Sequence, residues 1–363
     1  PGATDRAAAV RYRAALAMTQ RLHSIDHLRV YAALTVLFGH AVHVLKESAT
    51  FQGEQSGFYR QGVGAVVFLA IASLIALYTE RERFGQPGAC ARYLQKRLSR
   101  ILPLYWFFTT LFVVLAVLLP TVIDHHQLAL DHTIGSYLFW PVARPGDGRL
   151  RPLLNPGWVL NYIVWFHVLF ALCLTLRRRA GLAVLLGVLL LAFTAGQMMV
   201  LSGAAAFFTA RYVLVLVLGI VCLWIHDQAN GRFELPIPVS VAAVGSLFVL
   251  SWNWGSEEGD YPSIVCAFGI VLVASFTRGF RTRTWFSVAW GTLAQASYSI
   301  YLSQAFTLAG FVVIAEKLSL LAYMPYWVAV AVTMAFALVA GVLTHRYVER
   351  PLGDLAARAV GGG

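Results

Sequence analysis

The sequence predicts an all-α fold, a polytopic membrane bundle of about ten transmembrane helices with both termini in the cytoplasm. Three observations predict it. Hydrophobic residues make up 59% of the 363-residue chain and charged residues only 12%, about half the charged fraction of a soluble domain. Apolar runs of roughly 20 residues, the length that crosses a bilayer as a helix, recur along the chain. Lysine and arginine are distributed unevenly among the connecting segments, as membrane orientation requires.

Ten apolar segments are the candidate spans. We expect the seventh and eighth, which are short, to be tilted, re-entrant or shielded by their neighbours. One integral membrane domain is predicted at 22–352, between a cytoplasmic N-terminal segment at 1–21 and a C-terminal tail at 353–363. In order, the spans are approximately 28–46, 62–79, 101–123, 156–176, 181–201, 205–225, 237–252, 262–277, 290–314 and 322–345.

The basic residues predict the orientation. With the N-terminus in the cytoplasm, 21 of the 28 lysines and arginines fall in cytoplasmic segments, which favours ten helices with both termini inside. The same bias accounts for the formal net charge of +11, so no nucleic-acid partner is predicted. The N-terminal segment has no apolar stretch typical of a cleavable signal peptide, and targeting is expected to come from the first span.

The first span carries ionisable side chains at both ends. Arg29 and His40 return to within about 20° of the same helix face and lie about 16 Å apart along the axis. Asp26 and His43 fall on the same side. Charged groups in a bilayer usually face a cavity or a partner. This stripe therefore predicts either one long ligand that contacts both residues, or a snorkelling Arg29 and a hydrogen-bonded core histidine.

A second basic cluster lies in the stretch "RYLQKRLSRILPLYW". Arg97 and Arg100 precede the third span, and Pro103 is predicted in its first turn, where proline is tolerated. The two arginines indicate either an anchor at the cytoplasmic interface or an anion site, since guanidinium groups bind phosphates well.

The fourth and ninth spans carry further polar residues. Trp158 and Tyr162 are candidates for the aromatic belt at the membrane surface, whereas Asn161 and His167 lie deeper and need polar partners. In "ASYSIYLSQAF" the small and hydroxyl residues, Tyr298 among them, are typical of helix packing. Gln304 is the least expected residue of that stretch.

No metal site is predicted. The longest external loop, about residues 124–155, holds His125, His126 and His132. No carboxylate or cysteine completes a known ligand spacing there, which favours ordinary loop histidines. The four cysteines show no CxxC spacing, so neither a zinc site nor a disulfide framework is indicated.

Taken together, these segments resemble the acyltransferase-3 family of integral membrane acyltransferases over roughly residues 22–352. The resemblance is closest to the branch that O-acetylates exopolysaccharides and other surface sugars. The motifs that carry it are "LHSIDHLRVYAALTVLFGH", "RYLQKRLSRILPLYW", "NPGWVLNYIVWFHVLFAL", "ASYSIYLSQ" and "YVERPL".

The resemblance implies transfer of an acyl group, usually acetyl from acetyl-CoA, to a sugar hydroxyl, in the bacterial inner membrane and without a metal. It implies that Arg29 holds CoA near the inner face, with Arg97 and Arg100 as further phosphate contacts. His40 is the implied general base. The lipid bilayer and a carbohydrate acceptor are the expected partners, and a homo-oligomer is left open. The expected substrate-binding residues are Asp26, Trp158, Asn161, Tyr298 and Gln304.

Several positions depart from the family pattern. Ile163 stands where a glutamate is usual, Gln304 replaces the histidine of "YLSH", and Val66 replaces an acidic residue. Ala72–Ser73–Leu74 stands for the usual "SGF". His167, one turn from Ile163, is a candidate to compensate. The departures allow a divergent active enzyme, an enzyme with a different donor or acceptor, or a protein that has lost catalysis. The alternatives to acyl transfer are a silent relative that acts as a membrane partner and a transporter, although no inverted repeat supports transport.

Overall fold

The computed structural model describes residues 26–51, 63–119, 128–229, 233–254, 260–278 and 284–359. Every regular element in these ranges is helical, which confirms the predicted all-α fold. A 3₁₀ turn at Leu321–Tyr323 and a π-helical turn at His345–Glu349 flank α12. The α-helices in chain order are α1 (Asp26–Glu47), α2 (Gly64–Glu80), α3 (Ala89–Leu118), α4 (Leu130–Tyr137), α5 (Gly157–Cys173), α6 (Arg178–Met198), α7 (Gly203–Phe208), α8 (Tyr212–Ala229), α9 (Ile237–Trp254), α10 (Tyr261–Ser275), α11 (Trp285–Lys317), α12 (Tyr326–Thr344) and α13 (Arg350–Ala359).

Six helical segments of the described chain are long and apolar enough to cross a membrane. They are α1, α3, α6, α11 and the composite segments Gly203–Ala229 and Tyr326–Ala356. Shorter apolar helices, α2, α5, α9 and α10, stand where the remaining spans are predicted. The count of ten spans and the cytoplasmic termini stay predictions. The segment at 1–21 lies outside the described residues, and α13 crosses the predicted boundary at residue 352.

Helix α1 lies where two apolar clusters meet. Leu28 and Ala32 of α1 pack with residues of α2, α3, α5, α8 and α10. Ala33 and Leu37, on the adjoining face, pack with α11 and α12. Because close van der Waals packing holds helices together within a membrane, α1 is held from two sides. Arg29 of α1 thereby shares a cavity with residues of α2, α3, α5 and α11.

The registers of α3, α5 and α11 bring their polar residues together. Tyr93 of α3 contacts His167 of α5, whereas Tyr105, three turns later, packs against Gly157 at the start of α5. The two helices are therefore antiparallel. Tyr298 of α11 donates its hydroxyl hydrogen to the Ile101 carbonyl at 2.7 Å, which ties a third helix to the same part of α3.

The start of α3 corrects one prediction. Pro103 was expected in the first turn, but the helix begins at Ala89 and contains Pro103 in its interior. Arg97 and Arg100 thus belong to the helix rather than to the segment before it. An interior proline has no N–H for the carbonyl four residues earlier, here that of Ser99. Hydropathy identifies only the apolar part of a helix. Because the first turns of α3 are basic, the sequence places the start of this helix too late.

The segment before α5 contains more structure than the predicted polar loop. Helix α4 buries His132, which shares a 2.8 Å hydrogen bond with the Arg151 carbonyl through Nε2. The Ser136 hydroxyl accepts from the Leu153 N–H at 2.9 Å, so the chain that enters α5 is fixed to α4. In the turn between α4 and α5 that contains Arg144 and Asp147, side-chain hydrogen bonds from Arg144 lower the pKa of Asp147 to about 2. His125 and His126 lie outside the described residues.

A prediction follows from the contact of α2 with α8. A Cβ at Gly219 would overlap the Ser73 hydroxyl and the Ala70 carbonyl oxygen. Gly219→Ala should therefore destabilise the fold by about 1–3 kcal/mol, as overpacking does. The expected result is a lower midpoint of thermal unfolding for the purified protein in detergent.

Gly245→Ala is the matched control on α9, because a Cβ there meets no atom within 4 Å. Its unfolding midpoint should be unchanged or raised, since alanine is the better helix former. Equal midpoints for both variants would contradict the close packing of α2 on α8.

Candidate functional site

A cavity of about 140 Å³ lies between α1, α2, α3, α5 and α11. Three guanidinium groups, those of Arg29, Arg97 and Arg100, line it at one end of the bundle, which we name the arginine end. Arg100 is exposed, whereas Arg29 and Arg97 are partly buried. The remaining lining residues are Phe68, Ile71, Ala72, Ile101, Val159, Leu160, Ile163, His167, Ser297, Tyr298 and Tyr301.

The three arginines come from two helices. Arg97 and Arg100 are three residues apart on α3 and share a face with Tyr93, one turn earlier. The Arg97 Nη2 donates to the Thr79 hydroxyl at 2.8 Å, and its guanidinium carbon lies 5.3 Å from the centre of the Tyr93 ring. The Arg97 Nε is buried and has no hydrogen-bond partner among the described residues. Arg97 thus lines the cavity with part of its hydrogen-bonding capacity unused by the described residues.

The charges at the arginine end are only partly balanced. Arg97 and Arg100 repel Arg29, whereas Asp26 and Glu349 attract it. The Asp26 carboxylate is 3.9 Å from the Arg29 Nη1, a loose ion pair. Like charges held this close raise the free energy of the site, and an anion that binds there lowers it. The arrangement favours a ligand with several negative charges, such as a polyphosphate.

The walls beyond the arginines are mostly apolar. Val159 and Leu160 come from the first turn of α5, and Ile163 follows one turn later. Phe68 and Tyr301 line the same space, with ring centres 5.0 Å apart. A cavity that is cationic at one end and apolar along its length suits an amphipathic ligand with an anionic head.

His40 does not line this cavity. It lies on α1 about 16 Å beyond Arg29, at 1.5 Å per residue. Arg151, from the segment before α5, and His43 act on it electrostatically. His40 thus lies toward the opposite end of the bundle, near the chain that enters α5, and its side chain is partly exposed.

The predicted substrate residues fall in different places. Tyr298 lines the cavity, and Asp26 contacts Arg29. Asn161 and Gln304 are each 1% exposed, and neither amide has a hydrogen-bond partner among the described residues. Because a buried amide without a partner is costly, both are candidates for hydrogen bonds to a substrate.

Trp158 requires a correction. The expected position in the aromatic belt at the membrane surface is wrong, because the side chain is only 7% exposed. Its ring packs inside the bundle, 4.8 Å from the Tyr212 ring. Tryptophan packs in apolar cores as well as in the belt, and the sequence alone does not show which neighbours will cover it.

Sequence reasoning assigned no role to a polar cluster beside Arg100. The Glu349 carboxylate accepts the Ser299 hydroxyl hydrogen at 2.6 Å and lies 2.7 Å from the His345 Nδ1. Arg350 bonds to the His345 Nε2 and donates to Gln295 at 2.9 Å. A second cavity of about 310 Å³ lies beside this cluster and is lined by Gln295, His345, Glu349 and Arg350 together with Arg100 and Asp354. The i, i+4 spacing of His345 and Glu349 in the "YVERPL" region was the available signal.

The described residues contain no group of three or more histidine, cysteine or acidic side chains that could hold a metal ion. His132, one of the three loop histidines, is buried and bonded to the backbone of Arg151.

Comparison with known proteins adds independent findings. A family model described as an acyltransferase domain matches residues 22–346. The exopolysaccharide production protein ExoZ of Rhizobium meliloti (strain 1021) is 30% identical over 257 residues, which cover 68% of this chain and 76% of ExoZ. No solved structure matches the chain.

The Glu349 cluster gives a testable prediction. Ser299→Ala removes one hydrogen-bond donor from the partly buried Glu349 carboxylate. We expect a loss of about 1–3 kcal/mol in the free energy of unfolding, because a partly buried charged group is then left less well paired. Thermal unfolding of the purified protein measures it.

Thr292→Ala is the control on the same helix, because the Thr292 hydroxyl is exposed and bonds only within α11. Its unfolding midpoint should match that of the wild type. A Ser299→Ala midpoint equal to that of Thr292→Ala would mean that the Glu349 cluster does not stabilise the fold.

Proposed function

Because the chain belongs to the acyltransferase-3 family of integral membrane acyltransferases, we propose that it moves an acetyl group from acetyl-CoA to a hydroxyl of an extracytoplasmic carbohydrate. The family match confirms the resemblance seen in the motifs and makes the chain an acyltransferase. The observation that carries the proposal further is the cavity with three arginines at one end. The production of exopolysaccharide in the name of ExoZ favours a surface polysaccharide as the acceptor.

The donor binds with its anionic nucleotide at the arginine end. Arg29, Arg97 and Arg100 contact the phosphates, since guanidinium groups form paired, charge-assisted hydrogen bonds with phosphate oxygens. The thin pantetheine arm follows the apolar wall of α5 toward the opposite end. The arm must cross the distance of about 16 Å that separates Arg29 from His40 along α1.

His40 acts as the general base. A neutral imidazole takes the proton from the attacking sugar hydroxyl, and the oxygen forms a bond to the thioester carbonyl carbon. The carbon–sulfur bond then breaks, and the proton passes to the departing sulfur to give free CoA thiol. Atoms and charges balance without a metal or a redox partner.

The remaining residues bind the two substrates. Asn161 and Gln304 offer buried amides of the kind that pair with sugar hydroxyls. Trp158 contributes an aromatic wall near the start of α5. Asp26 orients Arg29, and Tyr298 contacts the donor at the cavity wall.

The proposal includes a topology of ten transmembrane helices in the bacterial inner membrane, with the arginine end and both termini in the cytoplasm. This orientation gives CoA, which is cytosolic, access to the arginine end. It is supported by further basic residues of the connecting segments, which the positive-inside rule places on that side. They are Arg81, Arg83, Arg177, Arg178, Arg179 and Arg278.

His40→Ala tests the catalytic role. Removal of the base should lower acetyl transfer by roughly 10²–10⁴-fold, while the protein remains folded and present in the membrane. Mass spectrometry of surface glycans from deletion, complemented and His40→Ala strains measures transfer and identifies the acceptor.

His226→Gln, on α8 away from the cavity, is the matched histidine control and should transfer at the wild-type rate. Normal glycan acetylation in the His40→Ala strain would overturn the assignment of the base. Acetylation that is unchanged even by deletion of the whole chain would favour a silent membrane partner or a transporter.

Arg29→Ala tests the donor site. Loss of one guanidinium from the anion site should weaken CoA binding by at least roughly tenfold, as the loss of a charge-assisted contact does. Titration calorimetry on the purified full chain measures the dissociation constant. Arg177→Ala, which removes an exposed arginine elsewhere in the chain, should leave it unchanged, and equal affinities for both variants would contradict the site.

A further inference from the structure

His167 lines the same cavity as the three arginines, yet the proposed function gives it no task. Its side chain is buried on α5. A buried imidazole in a membrane bundle needs polar partners for both ring nitrogens. The structure supplies a partner for one ring nitrogen, Nδ1. The other nitrogen, Nε2, has no partner among the described residues, and the residue lines the cavity.

The partner of the Nδ1 atom fixes the tautomer of the ring. The Tyr93 hydroxyl oxygen lies 2.7 Å from the His167 Nδ1. Tyr93 is 0% exposed, and no other acceptor for its hydroxyl hydrogen is found among the described residues. An O–H group without an acceptor is costly in such a place. Tyr93 therefore donates to Nδ1, and the neutral ring carries its own hydrogen on Nε2.

The Nε2–H group is available at the arginine end. Within the described part of the chain, the His167 Nε2 forms no hydrogen bond, and the residue lines the cavity. Tyr93 lies one helical turn before Arg97, whose guanidinium covers the Tyr93 ring. The Nε2–H group of His167 thus lies near Arg97, at the arginine end of the bundle, and far from His40.

We infer that His167 donates a hydrogen bond from Nε2 to a phosphate oxygen of the acyl donor, and that Tyr93 positions it by holding the ring in the Nε2–H tautomer. The inference rests on the proposed function, which supplies a thioester of CoA as the donor. The Nε2–H group of His167 then binds the phosphates together with the three arginines, as an additional hydrogen-bond donor that carries no charge. A charged oxygen is the strongest acceptor that such a group can meet.

Two replacements separate this role from a structural one. Gln places an amide N–H near the position of Nε2, whereas Asn places its amide near Nδ1 and keeps only the contact with Tyr93. His167→Gln should bind CoA within about threefold of wild type, and His167→Asn should bind roughly tenfold more weakly, as expected for one charge-assisted hydrogen bond. Pantetheine, which has no phosphate, should bind both variants as it binds the wild type.

Tyr93→Phe tests the positioning residue. We expect about threefold weaker CoA binding in the wild-type background and no further loss in the His167→Asn background, because coupled residues are not additive. Tyr105→Phe is the control, since its buried hydroxyl on the same helix donates to the Ser136 carbonyl at 3.0 Å, away from the arginine end. It should leave CoA binding unchanged.

All dissociation constants are measured by titration calorimetry on the purified full chain. Wild-type affinity in His167→Asn, or equal losses for CoA and pantetheine, would overturn the inference and leave the proposed donor intact. Additive losses from Tyr93→Phe and His167→Asn would assign Tyr93 a merely structural role and overturn its part in the inference. Wild-type protein that binds no CoA would overturn the proposed donor itself, and the inference with it.

Discussion

The need to balance charge in an apolar bundle determines much of this structure. Three guanidinium groups converge at one end, and the nearby acidic groups, Asp26 and Glu349, offset only part of their charge. The cost of such a cluster is tolerable because Arg29 lies in the first turn of α1 and Arg100 is exposed. The same imbalance makes the cavity selective, since an anionic head is stabilised there and a neutral or cationic one is not.

Some buried polar groups elsewhere in the bundle are paired across helices. Ser299 of α11 bonds to Glu349 beyond α12, and Tyr298 bonds to the backbone of α3. These contacts cross-link helices that apolar packing alone would leave free to rotate or slide. The amides of Asn161 and Gln304 have no hydrogen-bond partner among the described residues. Because a buried amide without a partner is costly, these two side chains stand out as candidates for contact with a ligand.

The sequence predicts features that follow the periodicity of a single helix, such as its apolar length and the residues on one face. It predicts few of the contacts between helices. Apolar length and the spacing of Arg29 and His40 gave the helical class and the stripe on α1. The interior position of Pro103 and the burial of Trp158 were missed, because both depend on neighbours that are distant in sequence. The pairing of His167 with Tyr93 was beyond sequence reasoning for the same reason: 74 residues separate the two.

The distance between Arg29 and His40 has an evolutionary consequence. Substitutions more than roughly 7–10 Å apart usually act independently, and these two residues are about 16 Å apart along one helix. Under the proposed function, the end that binds the donor can therefore remain fixed while the opposite end, with Arg151 and the segment before α5, diversifies. A lineage that works as proposed can acquire new acceptors by local change near His40, without renewed selection for affinity toward the donor.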